Sequence, residues 1–460
     1  RAAVMTVVGV AAIGWVAAAR SRWWTVFPAF VAFGGIFFVG FKIRLHELGL
    51  LICGAALLPH LLGRFSERLQ HRRPLPAAFV LLCAYIFLHS LYSFARFKLD
   101  GGGGGAGNMA RSYMNAVWPL IFGLLFYHFG ESRWCRLALN FLLAGAFLRV
   151  VVGLLRLFDV PFWYIPGLNF VALGAAEGMG GTNDLRTSGF LLGTAALAAA
   201  LVPQGALSRA FKVLLLFVGA GALLLGGGRV FFVSFGVVIL LTFFLYRQHL
   251  ALAAAALAGI ALTYVVNTDH HRLDFLPDNI KRTLSVLVIN EHRSELSELT
   301  TLSDEYHERL VEEGFRRWTQ HPGTVMLGNP ILPIDSDYGQ ASAVYQVTLQ
   351  RLIDNAARTG SYESSLWSIL AVFGVVGAVL WVWLILRLIR GFIPRLWRER
   401  VATPYHAILY LCLVQFAVLA GFCWISGSYP GLELALAFIG RGAIEDHEAA
   451  VAAAAEREAQ

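Results

Sequence analysis

Apolar stretches follow one another along most of this chain, separated by short polar connections, until one long polar insert interrupts the pattern at residues 267–363. Each stretch is close to the ~20 residues with which a helix crosses the hydrocarbon core of a bilayer. The pattern therefore predicts an all-α, polytopic membrane helix bundle with about twelve spans and one large, mostly helical insert. The predicted spans are residues 4–19, 24–41, 45–62, 75–95, 113–129, 137–157, 187–203, 210–226, 230–246, 250–266, 364–386 and 405–426.

This pattern divides the chain into four parts. They are the bundle 1–266 with about ten spans, the insert 267–363, the transmembrane helices 364–426 and the C-terminal part 427–460. The last part opens with an apolar piece, Gly431 to Gly440, which is too short to span and predicts a re-entrant or interfacial segment. An exposed helix or disorder is expected beyond it. The sequence begins with Arg1 rather than Met, which leaves room for a preceding segment and further spans.

Composition supports a membrane protein. Hydrophobic residues make up 57% of the chain and charged residues only 14%, and the mean hydropathy is +0.64. The net charge of +8 does not require nucleic acid as a partner, because the basic residues lie largely in the short connections. All five cysteines lie in or beside apolar stretches without the spacing of metal ligands, so neither a disulfide framework, a metal site nor a cofactor is predicted.

The distribution of charge predicts the orientation of the bundle. Basic residues occupy every second connection and mark those connections as cytoplasmic. The insert contains 15 of the 29 acidic residues of the chain against nine basic ones, and is predicted to face the periplasm from a bacterial inner membrane. The basic connections contain Arg20 and Arg22, Arg64 to Arg73, Arg133 and Arg136, Arg209 and Lys212, Arg247, and Arg387 to Arg400.

Two arginines on the opposite side are not required by this orientation rule. Arg186 and Arg229 stand where the seventh and ninth predicted spans begin, and both spans run inward from the insert side. A helix N-terminus offers unsatisfied N–H groups and a partial positive charge, and a guanidinium group can hold phosphate oxygens bidentately. The two arginines could together clamp a diphosphate. Alternatively, each side chain extends to the interface or pairs with an acid such as Glu177 or Asp184.

An acidic residue marks a third helix start on the same side. Gly360 can end the preceding helix and Ser361 can cap the eleventh span, which puts Glu363 in its first turn. The helix dipole favours the ionised carboxylate there, as a general base requires. Alternatively, Glu363 is an ordinary first-turn glutamate.

Two amphipathic helices are predicted within the insert. The first is capped by Ser303 and has Arg316 and Arg317 in its last turn, before His321. The second extends from about residue 342 to 358 and is expected to lie over the bundle as a lid. Its apolar face comprises Tyr345, Leu349, Leu352, Ile353 and Ala356.

The order of several short motifs resembles that of the O-antigen ligase and polymerase superfamily of bacterial envelope glycosyltransferases. The resemblance covers residues 113–426, with a late periplasmic insert between spans. The matching stretches are Arg186-Thr187-Ser188-Gly189, Gly228-Arg229, Trp318 to Gly323, Leu327-Gly328-Asn329 and Gly374-Val375-Val376-Gly377. The His-Asn pair of the family corresponds to Tyr362-Glu363 here.

This resemblance implies that a glycan on an undecaprenyl diphosphate carrier, held by Arg186 and Arg229, is transferred without a metal to an acceptor hydroxyl in the periplasm. The base is then expected to be Glu363, with His321 and Tyr362 as further candidates. Other implied partners are an acceptor glycan or glycolipid and membrane lipid. Arg316 and Arg317 are expected acceptor or loop contacts.

The position of Glu363 where ligases have histidine favours a polymerase of O-antigen or exopolysaccharide repeat units. The alternatives are an O-antigen ligase that modifies lipid A-core, a flippase or secondary transporter of lipid-linked glycans, and a non-catalytic scaffold. A transporter would be expected to show internal repeats and ionisable residues near the midplane. In a scaffold, Arg186 and Arg229 would be dispensable.

Overall fold

The structure is a computed structural model of the full chain, and it is almost entirely helical over the residues that it describes. These are 24–34, 36–38, 42–44, 47–49, 52, 76–99, 106–129, 131–158, 180–202, 207–268, 275–288, 295–332, 349–362, 364–421, 429 and 431–460. Two three-residue strands, β1 (Ile36–Phe38) and β2 (Lys42–Arg44), form an antiparallel pair.

The helices of the described residues are numbered in chain order. They are α1 (Phe27–Phe33), α2 (Ala77–Leu99), α3 (Ala106–Phe129), α4 (Cys135–Leu157), α5 (Gly180–Leu201), α6 (Arg209–Leu225), α7 (Arg229–Leu245), α8 (His249–Thr268), α9 (Asp278–Leu284), α10 (Glu295–Trp318), α11 (Pro322–Leu327), α12 (Leu349–Thr359), α13 (Ser365–Ile389), α14 (Phe392–Glu399), α15 (Pro404–Gly421) and α16 (Leu432–Ala459). Single 3₁₀ turns, Ser132–Trp134 and Ser285–Leu287, precede α4 and follow α9.

Four described segments are long and apolar enough to cross a membrane, and four shorter apolar helices accompany them. The chain therefore has the composition and the helix lengths of a membrane protein. The long segments are Ala77–Leu99, Ser132–Leu157, His249–Thr268 and Ser365–Glu399. The shorter ones are Trp24–Phe33, Leu185–Leu201, Arg229–Leu245 and Pro404–Ala420. The predicted span 4–19 and most of the predicted span 45–62 lie outside the described residues.

The predicted span 24–41 is wrong. Helix α1 ends at Phe33, and Gly34 adopts a positive φ of 61° that a continuing helix cannot use. The guanidinium group of Arg149 lies directly against Gly34, where a larger residue would clash with it. The next residues form the hairpin, in which Phe37 pairs with Ile43. Apolar composition alone did not distinguish these β-favouring aromatic and branched residues from a helix.

Contacts at the helix ends show that the helices α5 to α8 alternate in direction. At one end, Lys212 Nζ donates to Val202 O at 3.3 Å, and the Tyr246 hydroxyl accepts from Val401 N at 3.1 Å. We call this the basic end, because the Arg-rich connections lie there. At the other end, Asn267 Nδ2 donates to Leu287 O at 2.8 Å. We call this the insert end, since the described insert residues pack there.

The C-terminal part differs from the prediction of a short re-entrant segment. Gly431 to Gly440 is not a separate piece, because α16 continues for 28 residues. Its residues 434–440 are all buried, against α3 and α15 in particular. At the basic end, Asp446 accepts from Ser132 N at 2.7 Å and Glu448 accepts from Arg395 Nη2 at 2.7 Å. Helix α16 thus extends from Gly431, which lies against Trp118 in the middle of α3, to the basic end. Only its tail is exposed, as expected.

The insert packs on the N-terminal part of α13. Helix α10 begins at Glu295 rather than at Ser303, which is an interior residue. Helix α12 buries Ile353, as the lid prediction requires, together with Ala357; Tyr345 lies outside the described residues. Ile353 and Ala357 form a cluster with Leu310 of α10, Tyr362 and Ala371 of α13. Both insert helices therefore contact the bundle.

Candidate functional site

A three-glycine turn joins α6 to α7 at the insert end and forms the centre of the candidate site. Gly226 ends α6, Gly227 has a φ of 68°, and Gly228 is the N-cap of α7. Arg229 is therefore the first residue of α7, as predicted. Gly228 has no side chain that could accept hydrogen bonds from the first N–H groups of α7. The N-terminus of α7 can therefore donate hydrogen bonds to an anion beside the turn.

Arg186 lies against this turn. A Cβ atom on Gly226 would clash with the backbone N of Arg186 and come within 2.8 Å of its Cα. A Cβ atom on Gly228 would come within 2.9 Å of Arg186 Cβ and 3.4 Å of its Cδ. Glycine is thus needed on both sides of Gly227 so that the Arg186 side chain can lie along the turn that leads to Arg229.

Backbone contact between α5 and α6 fixes the position of Arg186. A Cβ on Gly189 would be 2.6 Å from Leu223 N, and a Cβ on Gly219 would be 2.5 Å from Gly193 N. Small residues permit this close approach of membrane helices. Gly189 of the Arg-x-Ser-Gly stretch is therefore a packing residue. Its contact with α6 fixes where Arg186 lies along the helix axis relative to the glycine turn.

One part of the prediction for Arg186 is wrong. Helix α5 begins at Gly180, so Arg186 is a second-turn residue rather than the first residue of a helix. Its backbone N–H is consequently not one of the unsatisfied groups at a helix start. The contribution of Arg186 to an anion site has to come from its side chain, while α7 contributes the helix N-terminus.

Sequence analysis did not identify a third arginine, Arg282 on α9. Its Cδ would lie 3.6 Å from a Cβ atom on Gly227, so it approaches the same turn from the insert. Thr283 holds α9 in place by donating its hydroxyl to Leu224 O at 3.0 Å, near the end of α6. The only sequence signal for Arg282 is its place in a short segment close after the tenth span.

The three arginines share one environment. Arg186, Arg229 and Arg282 are all half-buried, and the Nε atoms of Arg186 and Arg282 are buried. Each of the three has polar or electrostatic interactions in the structure. Three arginine side chains that start at or pass along one turn, beside a helix N-terminus, favour a multiply charged anion, and partial burial reduces the screening of its charge.

The predicted base belongs to the segment between α12 and α13. Glu363 lies outside the described residues. Gly360 follows α12 with a φ of 69°, which confirms its predicted role as a helix end. The N-cap of α13 is Ser364, whose hydroxyl accepts from Trp367 N at 3.5 Å, and not Ser361 as predicted.

His321 and Tyr362 have structural roles here. His321 is exposed and caps the short helix α11, where its backbone N donates to Thr324 Oγ1 at 3.1 Å. Tyr362 is 2% exposed and packs against Gly314 and Ile353. Burial raises the pKa of Tyr362 to about 12, so its hydroxyl stays protonated at neutral pH and is a poor proton acceptor.

Arg316 and Arg317 both bind Glu313, another residue that sequence analysis did not single out. Arg316 donates Nε and Nη2 to the two carboxylate oxygens at 2.8 and 2.7 Å, and Arg317 donates Nε at 2.7 Å. Burial alone would raise the pKa of Glu313, but the two guanidinium groups outweigh it and lower the pKa. The Arg316 side chain remains 62% exposed and available to a ligand on the insert.

A kink in α13 fastens the insert to the bundle. Gly374 has a non-helical φ of 63°, which frees carbonyl groups of the preceding turn. Ala371 O accepts from both the backbone N and Nδ2 of Asn329, at 2.8 and 2.9 Å. From α2, the Tyr85 hydroxyl contacts Phe373 O at 2.7 Å and Leu327 O at 2.9 Å. The Gly328-Asn329 stretch is thus a docking element in this structure.

Compared with models of protein families, with curated proteins and with solved structures, the chain matches none. What the arginine site binds must therefore follow from its own residues and their geometry. Within the described residues, no cluster of three or more His, Cys, Asp or Glu side chains could hold a metal ion.

Proposed function

We propose that this chain transfers a glycan from an undecaprenyl diphosphate carrier to an acceptor sugar hydroxyl, as a polymerase of O-antigen or exopolysaccharide repeat units. The observation that carries this proposal is the convergence of Arg186 and Arg282 on the glycine turn that leads into Arg229. A diphosphate has the charge and the oxygen atoms that three guanidinium groups and a helix N-terminus bind well.

The proposed reaction separates charge at this site. The acceptor hydroxyl oxygen bonds to the anomeric carbon while the bond from that carbon to the diphosphate oxygen breaks. The diphosphate leaves with the electron pair, and the hydroxyl proton passes to a base. Arg186, Arg229 and Arg282 stabilise the developing negative charge. Glu363 is the proposed base, since the Tyr362 hydroxyl is buried and its pKa is raised.

The location supports a surface reaction. All three arginines lie at the insert end, where the predicted acidic, periplasmic part of the chain begins. The insert is held over the bundle through Asn329 and Tyr85, so it can cover an acceptor beside the turn. Arg316, exposed on α10, is a proposed contact for that acceptor.

Substitution of each arginine tests the proposal. Arg186→Ala, Arg229→Ala and Arg282→Ala should each lower the rate of transfer by ~10²–10³, as loss of one transition-state contact does. Lysine should restore activity only in part, because it cannot form a bidentate fork. The measurement is formation of lengthened glycan and undecaprenyl diphosphate by purified protein in nanodiscs supplied with the lipid-linked glycan of its source cells. Glu363→Gln should also be nearly inactive and Glu363→Asp less impaired.

Arg209 provides a matched control. Like Arg229, it is the first residue of a 17-residue helix, but it is exposed at the basic end. Arg209→Ala should leave transfer unchanged. Normal transfer in all three arginine variants would refute the site. If the donor instead crossed the membrane of proteoliposomes without covalent change, the protein would be a transporter, and a glycan product joined to lipid A-core would make it a ligase.

A further inference from the structure

A long apolar pocket lies between the C-terminal half of α7, α13 and α15, and none of the three arginines lines it. It has a volume of about 570 Å³, and its walls are almost entirely hydrocarbon. Along α13 it extends from Leu366 at the insert end to Ile389 at the basic end. At 1.5 Å per helical residue this is about 35 Å, close to the ~30 Å thickness of a bilayer core.

Helix α14 closes the pocket at the basic end. Its Phe392 and Leu396 are buried, whereas Ile393 and Trp397 are 61% and 46% exposed on an adjoining face. Ile393 and Leu396 also line the pocket. A short helix with an apolar arc that includes tryptophan, and with arginine on its other side, is typical of a segment that lies in the plane of the membrane interface.

Positive charge surrounds this end of the pocket. The guanidinium carbon of Arg247 lies 5.6 Å from the centroid of the Trp397 ring. The ring centroids of Phe244 and Trp397 are 6.1 Å apart. Arg247 and Arg398 are both exposed. Residues 387–400 contain five arginines and one glutamate. Arg395 binds Glu448. Arg398 is exposed and next to Trp397 in the chain, and it donates Nε to Pro394 O at 3.3 Å.

We propose that this is a binding site for an anionic phospholipid of the leaflet at the basic end. One acyl chain occupies the pocket along α13, and the phosphate group is held by Arg247 and Arg398 beside the Trp397 ring. Lipid hydrocarbon matches the nearly non-polar walls, and the headgroup charge is complementary to the arginines. The diphosphate of a polyprenyl carrier would need its charge at the opposite end, where Arg186 and Arg229 lie. This inference is independent of the proposed glycan transfer.

Native mass spectrometry of the purified full chain tests the site with defined lipids. The probes are phosphatidylglycerol and phosphatidylcholine with the same acyl chains, released from mixed detergent micelles. The protein should retain phosphatidylglycerol in preference. Arg247→Gln and Arg398→Gln should each weaken that preference about fivefold, the factor that corresponds to ~1 kcal/mol for one basic residue near an anionic surface. Ala378→Phe, which fills the pocket, should reduce retention of both lipids.

Arg133→Gln is the matched control. Arg133 also lies at the basic end, with its guanidinium carbon 4.9 Å from the ring of Trp134, but it is not part of the pocket. This variant should retain phosphatidylglycerol like the wild type. Equal retention of the two lipids, or an equal loss in the Arg133 variant, would overturn the proposal. Undecaprenyl diphosphate that displaces phosphatidylglycerol only when Arg229 is present would also overturn it, because the pocket would then bind the carrier lipid. A dimer that dissociates in the Ala378→Phe variant would show that a second copy of the chain covers the pocket.

Discussion

At the residue scale, Glu313 shows how one buried carboxylate stabilises the insert. It is only 8% exposed and accepts hydrogen bonds from Arg316 and Arg317. The carboxylate binds two cations on the part of α10 that faces Tyr362 and Trp367. Loss of the charge would weaken the hydrogen bonds to both guanidinium groups. A hydrogen bond to a charged group contributes about 1.5–3 kcal/mol, and less for the largely exposed Arg316 than for Arg317.

We therefore predict that Glu313→Gln lowers the midpoint of thermal unfolding at pH 7. Because the pKa of Glu313 is lowered in the folded protein, its contribution is fully present above the ordinary value of 4.5 and is lost as the pH falls through the folded value. The difference in midpoint between wild type and variant should then shrink below about pH 4.5. Calorimetry in detergent between pH 4 and 7 measures this.

The exposed pair of Glu305 and Arg309 on the same helix is the control. Its side chains are 44% and 50% exposed, and such i,i+4 pairs contribute only ~0.3–0.5 kcal/mol. Glu305→Gln should therefore shift the midpoint much less. A shift as large as that of Glu313→Gln would mean that burial of Glu313 has no special consequence.

The residue scale also shows what could be predicted about the candidate site. Arg186 and Arg229 were identifiable because the orientation rule does not require arginine at their connections. Arg282 was not, since its approach to Gly227 depends on how α9 folds back over the end of α6. The hydrophobic pattern contains no information on that contact. The position of Arg186 inside α5 was missed because residues 180–185 are too polar to signal a helix.

At the element scale, helices with a continuous apolar run were predicted within a few residues. Examples are α7, predicted as 230–246, and α8, predicted as 250–266. The predictions failed where backbone conformation decides whether a helix continues. Gly34 ends α1 with a positive φ, and Gly374 kinks α13 within a uniformly apolar run that gives no sign of the kink. Both glycines are held by tertiary contacts, with Arg149 and Met326 respectively.

The kink of α13 leads to a prediction about Tyr85. Its hydroxyl proton is shared between carbonyl groups of the insert and of α13, so Tyr85→Phe should loosen the attachment of residues 327–331. A net contribution of ~0.5–1.5 kcal/mol corresponds to amide exchange that is roughly 2- to 12-fold faster. Hydrogen–deuterium exchange with mass spectrometry measures it.

Tyr92, on the same helix and 52% exposed, supplies the comparison. Tyr92→Phe should leave exchange in residues 327–331 unchanged. If Tyr85→Phe also leaves that rate unchanged, the backbone bond from Asn329 to Ala371 is sufficient to hold the insert.

At the scale of the whole molecule, the two ends differ in chemistry. The basic end holds the Arg-rich connections and the proposed phospholipid site, and the insert end holds the three-arginine turn. Sequence could predict this division because charge in short connections is a local property. It could not predict that α16 continues to the basic end, since the apolar part is short and its burial depends on α3 and α15.

The course of α16 permits a test of the entire topology. If the insert end faces the periplasm, a cysteine at exposed Gln320 should react with an impermeant maleimide in intact spheroplasts, and one at exposed Gln248 should react only after lysis. A cysteine at Gln460 should behave like the one at Gln248, because the helix ends beyond the basic end. A re-entrant segment would instead return the C-terminus to the insert side.

The native cysteines require a background measurement. Of the five cysteines, Cys83, Cys135 and Cys412 lie in the described part of the chain as free thiols, and the last two are buried. The unsubstituted chain is therefore labelled in parallel. Reaction at Gln460 in intact spheroplasts, with Gln248 protected, would show that α16 does not cross the membrane. Reaction at Gln248 with Gln320 protected would reverse the bundle. The three arginines would then face the cytoplasm, where a periplasmic glycan transfer could not occur.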